Sequence, residues 1–314
     1  MTAPAAAAAT ATVLVVNYEG ETLLGPCLDA LRGQGAARVV VVDNASCDGS
    51  LALLRAREDV DVIASPTNLG YAGAIDLVLG SVATPYLVVL NTDTEVAPGW
   101  LDALVAPFAD AAVAATSSRL VLPDGRLQST GGGFDPAGYG RDRGFGQPDD
   151  GRDADDPDVA YACGAAMGLR VDAVRAVGGT DPRFFMYYED AELCWRLRLA
   201  GHAVRYAPDA LVVHQHSATV GAGSLFHTRW TERNRLATLV TCATPGRIVR
   251  QFLRYPLTTV SVALFESRPK AVQRIVAYGS VLRALPGLVR RRRALPLVVP
   301  RAEFEARWLR EVPR

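Results

Sequence analysis

The 314-residue sequence lacks any apolar run approaching the roughly 18 residues that span a bilayer, so no transmembrane helix is expected. Its five cysteines, Cys27, Cys47, Cys163, Cys194 and Cys242, form no C-x-x-C pair. That spacing excludes a cysteine zinc site and a disulfide framework, and it suits a reducing cytoplasm. No G-x-G-x-x-G follows the first apolar run: VLVV at 13–16 leads into Asn17-Tyr18-Glu19-Gly20, so a nicotinamide-dependent oxidoreductase is excluded. Residues 1–11 are alanine-rich without a basic n-region and read as a loose terminus. Net charge is absent too, 33 basic side chains against 33 acidic, but the two signs are unevenly placed. Residues 247–314 hold 15 basic and 4 acidic side chains, a tail of +11 on a body of −11. The acidic body excludes a nucleic-acid footprint.

What is present is a soluble α/β pattern, with 49% hydrophobic residues, ample for a large core. Short β-branched runs alternate with amphipathic stretches, as expected when helices cover both faces of a largely parallel sheet. VLVV (13–16), VVVVD (39–43), DVDVIA (59–64) and YLVVLN (86–91) predict four strands. Leu23, Leu24, Cys27, Leu28 and Leu31 predict a helix after the first, and residues 71–82 one after the third. From Arg119 a second region begins. Residues 123–158 are rich in Gly, Pro and Asp, with six acidic residues from Asp149 to Asp158, and read as a solvated loop or lid. Then come a short apolar run at 161–169, helices over 172–177 and 189–200, and two strands, HAVRYA (202–207) and LVVH (211–214). From Phe226 the pattern is helical. The expected division is 12–118, 119–225 and a helical, basic extension over 226–314.

Ligands of open α/β sheets bind beyond the carboxyl ends of the strands, and those ends are polar here. They carry Asn17-Tyr18, Asp43-Asn44-Ala45-Ser46, Asn68-Leu69-Gly70 and Asn91-Thr92-Asp93. For Asn44 and Ser46, helix capping is an equal reading. Asp93 ends a strongly apolar approach, where a carboxylate would repel a phosphate unless a divalent cation stood between them. Mg²⁺ or Mn²⁺ on oxygen ligands meets that need. On the helix from Glu189, Asp190 heads the face shared by Leu193, Cys194 and Leu197. The helix dipole favours its ionised form while burial and the neighbouring Glu189 and Glu192 oppose it, a balance that suits a general base. The alternative is a plain first-turn charge, with Glu192 paired to Arg196. His214 ends a strand and could complete the metal shell, with His216 as the spare, although a lone histidine is more often an ordinary hydrogen-bonded side chain.

In order along the chain, VNYEG (16–20), VVDNASCDGS (41–50), NLGYAGA (68–74), LNTD (90–93), VGGTDPRFFMYYEDAELCWR (177–196) and VVHQHSAT (212–219) resemble family 2 glycosyltransferases, most closely the rhamnosyltransferase-like branch. The resemblance covers residues 12–235. It implies a GT-A fold with a Rossmann-like, mostly parallel central sheet flanked by helices. It further implies an inverting transfer from a dTDP-, UDP- or GDP-linked sugar, such as a deoxysugar, to an acceptor hydroxyl on a glycan, glycolipid or natural product. By motif match, Tyr18, Asp43, Asn68, Gly70, Asn91 and Thr92 would bind the nucleotide, and Asp93 and His214 the Mg²⁺ or Mn²⁺. Asp190 would be the catalytic base, with Glu189, Glu192, Trp195 and Arg196 around the acceptor. Two positions depart from the family pattern: Thr92 replaces a common Pro, and Ile75-Asp76 stand where many relatives carry an Asn-rich stretch.

A catalytically silent scaffold that binds partners or membrane through its tail is the competing reading, and the intact acidic and histidine positions speak against it. Within the tail, Leu282, Leu285, Leu288 and Val289 alternate with Arg283 and Arg290 to Arg293, as in an interfacial helix at an anionic membrane surface. That would make a cytoplasmic protein peripheral to the inner face of the plasma membrane. The alternative is a helix that packs on the body or on a second copy in a homodimer.

Overall fold

The computed structural model describes residues 7–151, 153–215 and 223–310. The first four strands, β1 (Ala11–Asn17), β2 (Arg38–Asp43), β3 (Asp61–Ala64) and β4 (Tyr86–Asn91), are parallel and lie in the order β3-β2-β1-β4. Helices α1 (Glu21–Leu31), α2 (Ser50–Arg55) and α3 (Gly70–Leu79) connect them. The period of two along β1 divides the core. Val13 and Val15 pack with Leu24, Cys27 and Leu28 of α1 on one face, and Leu14 packs with Ala74, Ile75 and Val78 of α3 on the other.

Beyond β4 the sheet becomes mixed. Strand β5 (Thr94–Val96), helix α4 (Trp100–Val105), β6 (Val113–Val121), β7 (Leu127–Ser129), β8 (Gly132–Phe134), β9 (Gly140–Asp142), β10 (Ala166–Arg170), α5 (Val171–Ala176), α6 (Glu189–Leu199) and β11 (Ala203–His214) follow. Strand β10 runs antiparallel between β4 and β6, β11 lies parallel to β6, and β5 closes the edge antiparallel to β11.

Two expectations change in this half. The runs at 202–207 and 211–214 are one strand, because a register shift between Ala207 and Leu211 absorbs Pro208, Asp209 and Ala210 without ending the pairing with β6. The stretch 123–158 is not merely a solvated loop. It holds β7 and the β8–β9 ribbon, and two of its acidic residues have structural partners: Asp158 takes Arg198 at 2.7 Å, Arg205 at 2.6 Å and Arg307, while Asp153 accepts from the Thr130 hydroxyl at 2.7 Å.

The chain ends in α7 (Leu225–Cys242), α8 (Pro245–Phe265), α9 (Arg268–Ala294) and α10 (Arg301–Trp308). Helix α10 returns to the body, where Phe304 stacks on Trp195 with ring centroids 4.6 Å apart. The arginine run at the end of α9 is partly turned inward. Arg291 donates to Gly179 O at 2.8 Å, Arg292 donates to Ala243 O at 2.7 Å, and Leu288 is buried. These residues fix the helix to the body, so the interfacial face expected at 282–293 is not assembled as read from the sequence. No helix among the described residues is long and apolar enough to cross a membrane.

Candidate active site

Strand order reverses direction around β1 and β4, and a cleft of about 1190 Å³ opens at their carboxyl ends. Tyr18, Asn68, Gly70, Asn91, Thr92, Asp93, Glu189, Asp190 and His214, all expected site residues, border it. Asp43 lies beneath the rim and not on it. Its carboxylate accepts from Asn17 Nδ2 at 2.8 Å and from the Ser46 N–H at 3.1 Å, so its buried side chain ties the loops after β1 and β2 together. His216 falls outside the described residues.

Antiparallel pairing of β5 with β11 sets Thr94 opposite His214 and so delivers the histidine to Asp93. His214 Nε2 lies 2.9 Å from Asp93 Oδ1, and Nδ1 lies 2.6 Å from Gln128 Oε1. All three side chains are buried. A neutral imidazole whose Nδ1–H donates to Gln128 turns its Nε2 lone pair toward the carboxylate, an arrangement that a cation between them would satisfy. The spacing suits that role, since cis donors of an octahedral Mg²⁺ or Mn²⁺ stand about 3 Å apart when each bond is about 2.1 Å. These two residues therefore fit a divalent ion. No group of three or more His, Cys, Asp or Glu side chains is arranged to hold a metal among the described residues.

Asp190 sits in the first turn of α6. Its Oδ2 accepts the Gly164 N–H at 2.8 Å and its Oδ1 the Ala191 N–H at 2.7 Å. Gly164 is placed in turn by the Tyr71 hydroxyl, which donates to its carbonyl at 2.5 Å. Burial raises the Asp190 carboxyl above the ordinary range, and the two N–H donors hold it partly back. Glu189 is raised well above the carboxylate range, first by burial and then by the charge of Asp190, and its buried Oε2 has no hydrogen-bond partner among the described residues. Of two adjacent acids, the one holding N–H donors is the better anion, so Glu189 retains its proton more readily than Asp190.

Three expected acceptor residues do not reach the cleft. Glu192 and Arg196 form a fully buried bidentate pair at 2.8 and 2.7 Å, and the guanidinium also donates to Val177 O and Gly179 O. Trp195 is enclosed by Phe134 and Phe304. Helical spacing turns positions 192, 195 and 196 away from the face that carries Asp190, so these residues anchor α6 instead.

Several residues at the cleft carry no signal in the sequence. Asp142 on β9 borders the cleft, accepts from Ser129 Oγ at 2.9 Å, and is pushed up to about 6 by burial. Asn234 on α7 is fully buried, with its amide nitrogen 2.8, 2.9 and 2.7 Å from the carbonyl oxygens of Phe184, Met186 and Tyr187. It holds the approach to α6, where Phe185, Tyr187 and Tyr188 all have positive φ, a cost tolerated where the surroundings fix the backbone. Gly70 has φ +69°, and a Cβ there would stand 2.4 Å from Phe185 O. The turn at Gly70 and the α6 approach are thus in direct contact.

Residues 12–178 match the family model for glycosyl transferase family 2, and residues 157–287 match that for glycosyl transferase family group 2. The chain is 32% identical over 216 residues to a pre-mycofactocin glycosyltransferase of Mycobacterium tuberculosis, covering 65% of this chain and 42% of that protein. It thus spans less than half the length of that relative. It is 27% identical over 222 residues to the N-acetylglucosaminyl-diphospho-decaprenol L-rhamnosyltransferase of the same species, covering 60% of this chain and 70% of that one. Among solved structures, GalNAc-T7 with UDP, GalNAc and Mn²⁺ superposes with TM-score 0.68 at 15% identity, over 95% of this chain and 56% of that one. The mannosyltransferase PcManGT from Pyrobaculum calidifontis, in complex with GDP-Man and Mn²⁺, superposes with TM-score 0.55 at 18% identity, over 91% and 84%. The fold is GT-A.

Proposed function

Because the chain belongs to glycosyl transferase family 2, we propose that it moves a sugar from a nucleotide-diphosphate donor to an acceptor hydroxyl by a single inverting displacement. The observation that carries this reading is the placing, around one cleft, of a carboxylate-imidazole pair fit for a cation and a separate carboxylate held by backbone donors.

Tyr18, Asn68, Gly70, Asn91 and Thr92 form the donor side, with Asp43 bracing the rim from below. Asp93 and His214 would hold Mg²⁺ or Mn²⁺, which would supply positive charge against the leaving diphosphate. Asp190 accepts the proton of the acceptor hydroxyl as that oxygen attacks the anomeric carbon. The raised carboxyl makes it a stronger base than an exposed aspartate, and the Gly164 N–H fixes its direction. Glu189, beside it, borders the acceptor. In this reading residues 12–118 serve the donor, 119–225 the acceptor and the chemistry, and 226–314 add a wall, since Glu232, Lys270 and Arg274 also border the cleft.

The relative named a rhamnosyltransferase favours a deoxysugar, with dTDP, UDP and GDP as the nucleotides to test. That relative's name and the neighbours' UDP, GDP-Man and Mn²⁺ support a nucleotide-sugar donor with a divalent metal. A thermal-shift screen of these nucleotides and their sugars, with and without Mn²⁺, tests the reading. A saturating ligand at about 100 times its Kd stabilises by about 2.7 kcal/mol, a shift of several degrees. At least one nucleotide should give that shift only with metal present, and a screen without any shift counts against the proposal.

A further inference from the structure

The longest exposed apolar feature lies on α8. Val249, Leu253, Leu257, Val260 and Leu264 recur at intervals of four, four, three and four, so they form one stripe along the helix. They are 57% to 72% exposed, and Phe265 at the end is 82% exposed. The opposite face, with Gln251, Tyr255 and Thr259, is buried against α9, where Tyr255 stacks on Tyr278 at 5.3 Å. After the turn, Val272 and Ile275 on α9 add exposed apolar surface of 54% and 63%. Contiguous apolar surface of this kind marks a binding face.

Charge selects the occupant. Residues 245–294 contain a single acidic side chain, Glu266, while Arg274, Arg291 and Arg292 turn inward and Arg250, Arg254, Arg268, Arg283, Arg290 and Arg293 are exposed. Arg250 and Arg254, both exposed, follow the stripe along one edge, and Arg268 and Arg283 are exposed on α9. Pairing two copies of this ridge about a two-fold axis would bring like-charged arginines together. An anionic lipid surface takes up both the apolar stripe and its basic border.

We propose that α8 and the start of α9 dock on an anionic bilayer as an in-plane helix, its apolar stripe sunk among the lipid headgroups. The ridge is continuous with the cleft wall. Val262, Glu266, Lys270 and Arg274 border the cleft, while Leu264 and Phe265 in the same turn face outward. Docking therefore brings the cleft mouth to the lipid surface, where an acceptor carried on a lipid is presented. The docking itself does not depend on the reaction.

Vesicle co-sedimentation of the full chain, without donor or acceptor, tests this. Phosphatidylcholine vesicles containing phosphatidylglycerol should bind the protein, with weaker binding at high salt and on phosphatidylcholine alone. Leu253→Glu with Leu257→Glu, and separately Leu264→Glu with Phe265→Glu, should lower partitioning roughly tenfold or more while leaving the melting temperature unchanged. The proposal is overturned if the wild-type protein stays in the supernatant or if both variants bind as it does. It is equally overturned if sedimentation velocity shows a dimer that these substitutions dissociate. Failure of glycosyl transfer would leave the binding result untouched, so the two readings fail separately.

Discussion

His214 Nε2 stands 2.9 Å from Asp93 Oδ1 although 121 residues separate them, because β11 and β5 pair at the edge of the sheet. The contact joins the loop after β4 to the end of β11. On the proposed function, a cation held there would link diphosphate affinity to both residues. Asp93→Ala is expected to weaken metal-dependent nucleotide binding by tenfold or more, about 1.4 kcal/mol, and His214→Ala less. Calorimetric titration of nucleotide with Mn²⁺ measures both, and undiminished turnover in excess EDTA would exclude the cation.

Gly70 tests the contact between the two loops. Alanine there meets Phe185 O and must adopt φ +69°. Gly70→Ala should cost about 2–4 kcal/mol from left-handed strain and overpacking together, read as a lower urea midpoint. An unchanged midpoint would show that the α6 approach yields freely.

Asn234 touches no expected ligand, yet it fixes the backbone that aims Asp190. Asn234→Ala leaves the carbonyls of Phe184, Met186 and Tyr187 without their shared donor, at about 1–3 kcal/mol. The loss should appear in kcat, with nucleotide Kd kept. A fall in nucleotide affinity alone would place Asn234 on the donor side instead.

The raised carboxyl of Glu189 gives a pH signature. A group raised on folding contributes stability that is whole below its unfolded-state value, about 4.3, and is lost as pH rises through its folded value. Glu189→Gln removes that titration. The variant's melting temperature should therefore exceed wild type increasingly from acid to neutral pH, and the two should converge near pH 4. Parallel profiles would mean that Glu189 titrates as an exposed acid does.

Much of this was readable from local chemistry. The parallel strands β1 to β4 are apolar runs, and Tyr18, Asn68, Asn91, Thr92 and Asp93, which follow them, border the cleft, with Asp43 beneath its rim. Asp93, Asp190 and His214 stand out because each is a polar group at the end of an apolar segment. What could not be read was long-range. The register of β11 across Pro208-Asp209 depends on β6, and the ribbon at 132–142 is held by partners far along the chain, including Tyr161 and Tyr188. Asn234 looks like any polar residue in a helix until the loop it binds is placed above it. Glu192, Trp195 and Arg196 share a motif with Asp190 in sequence, but the helical period separates their directions.

The most direct measurement compares nucleotide affinity and turnover in Asp190→Asn. Loss of a general base costs about 10² to 10⁴ in rate. The expected result is a kcat reduced by that factor with the Kd for nucleotide and Mn²⁺ within twofold of wild type. An unchanged kcat would contradict the assignment of Asp190 as the group that takes the acceptor's proton.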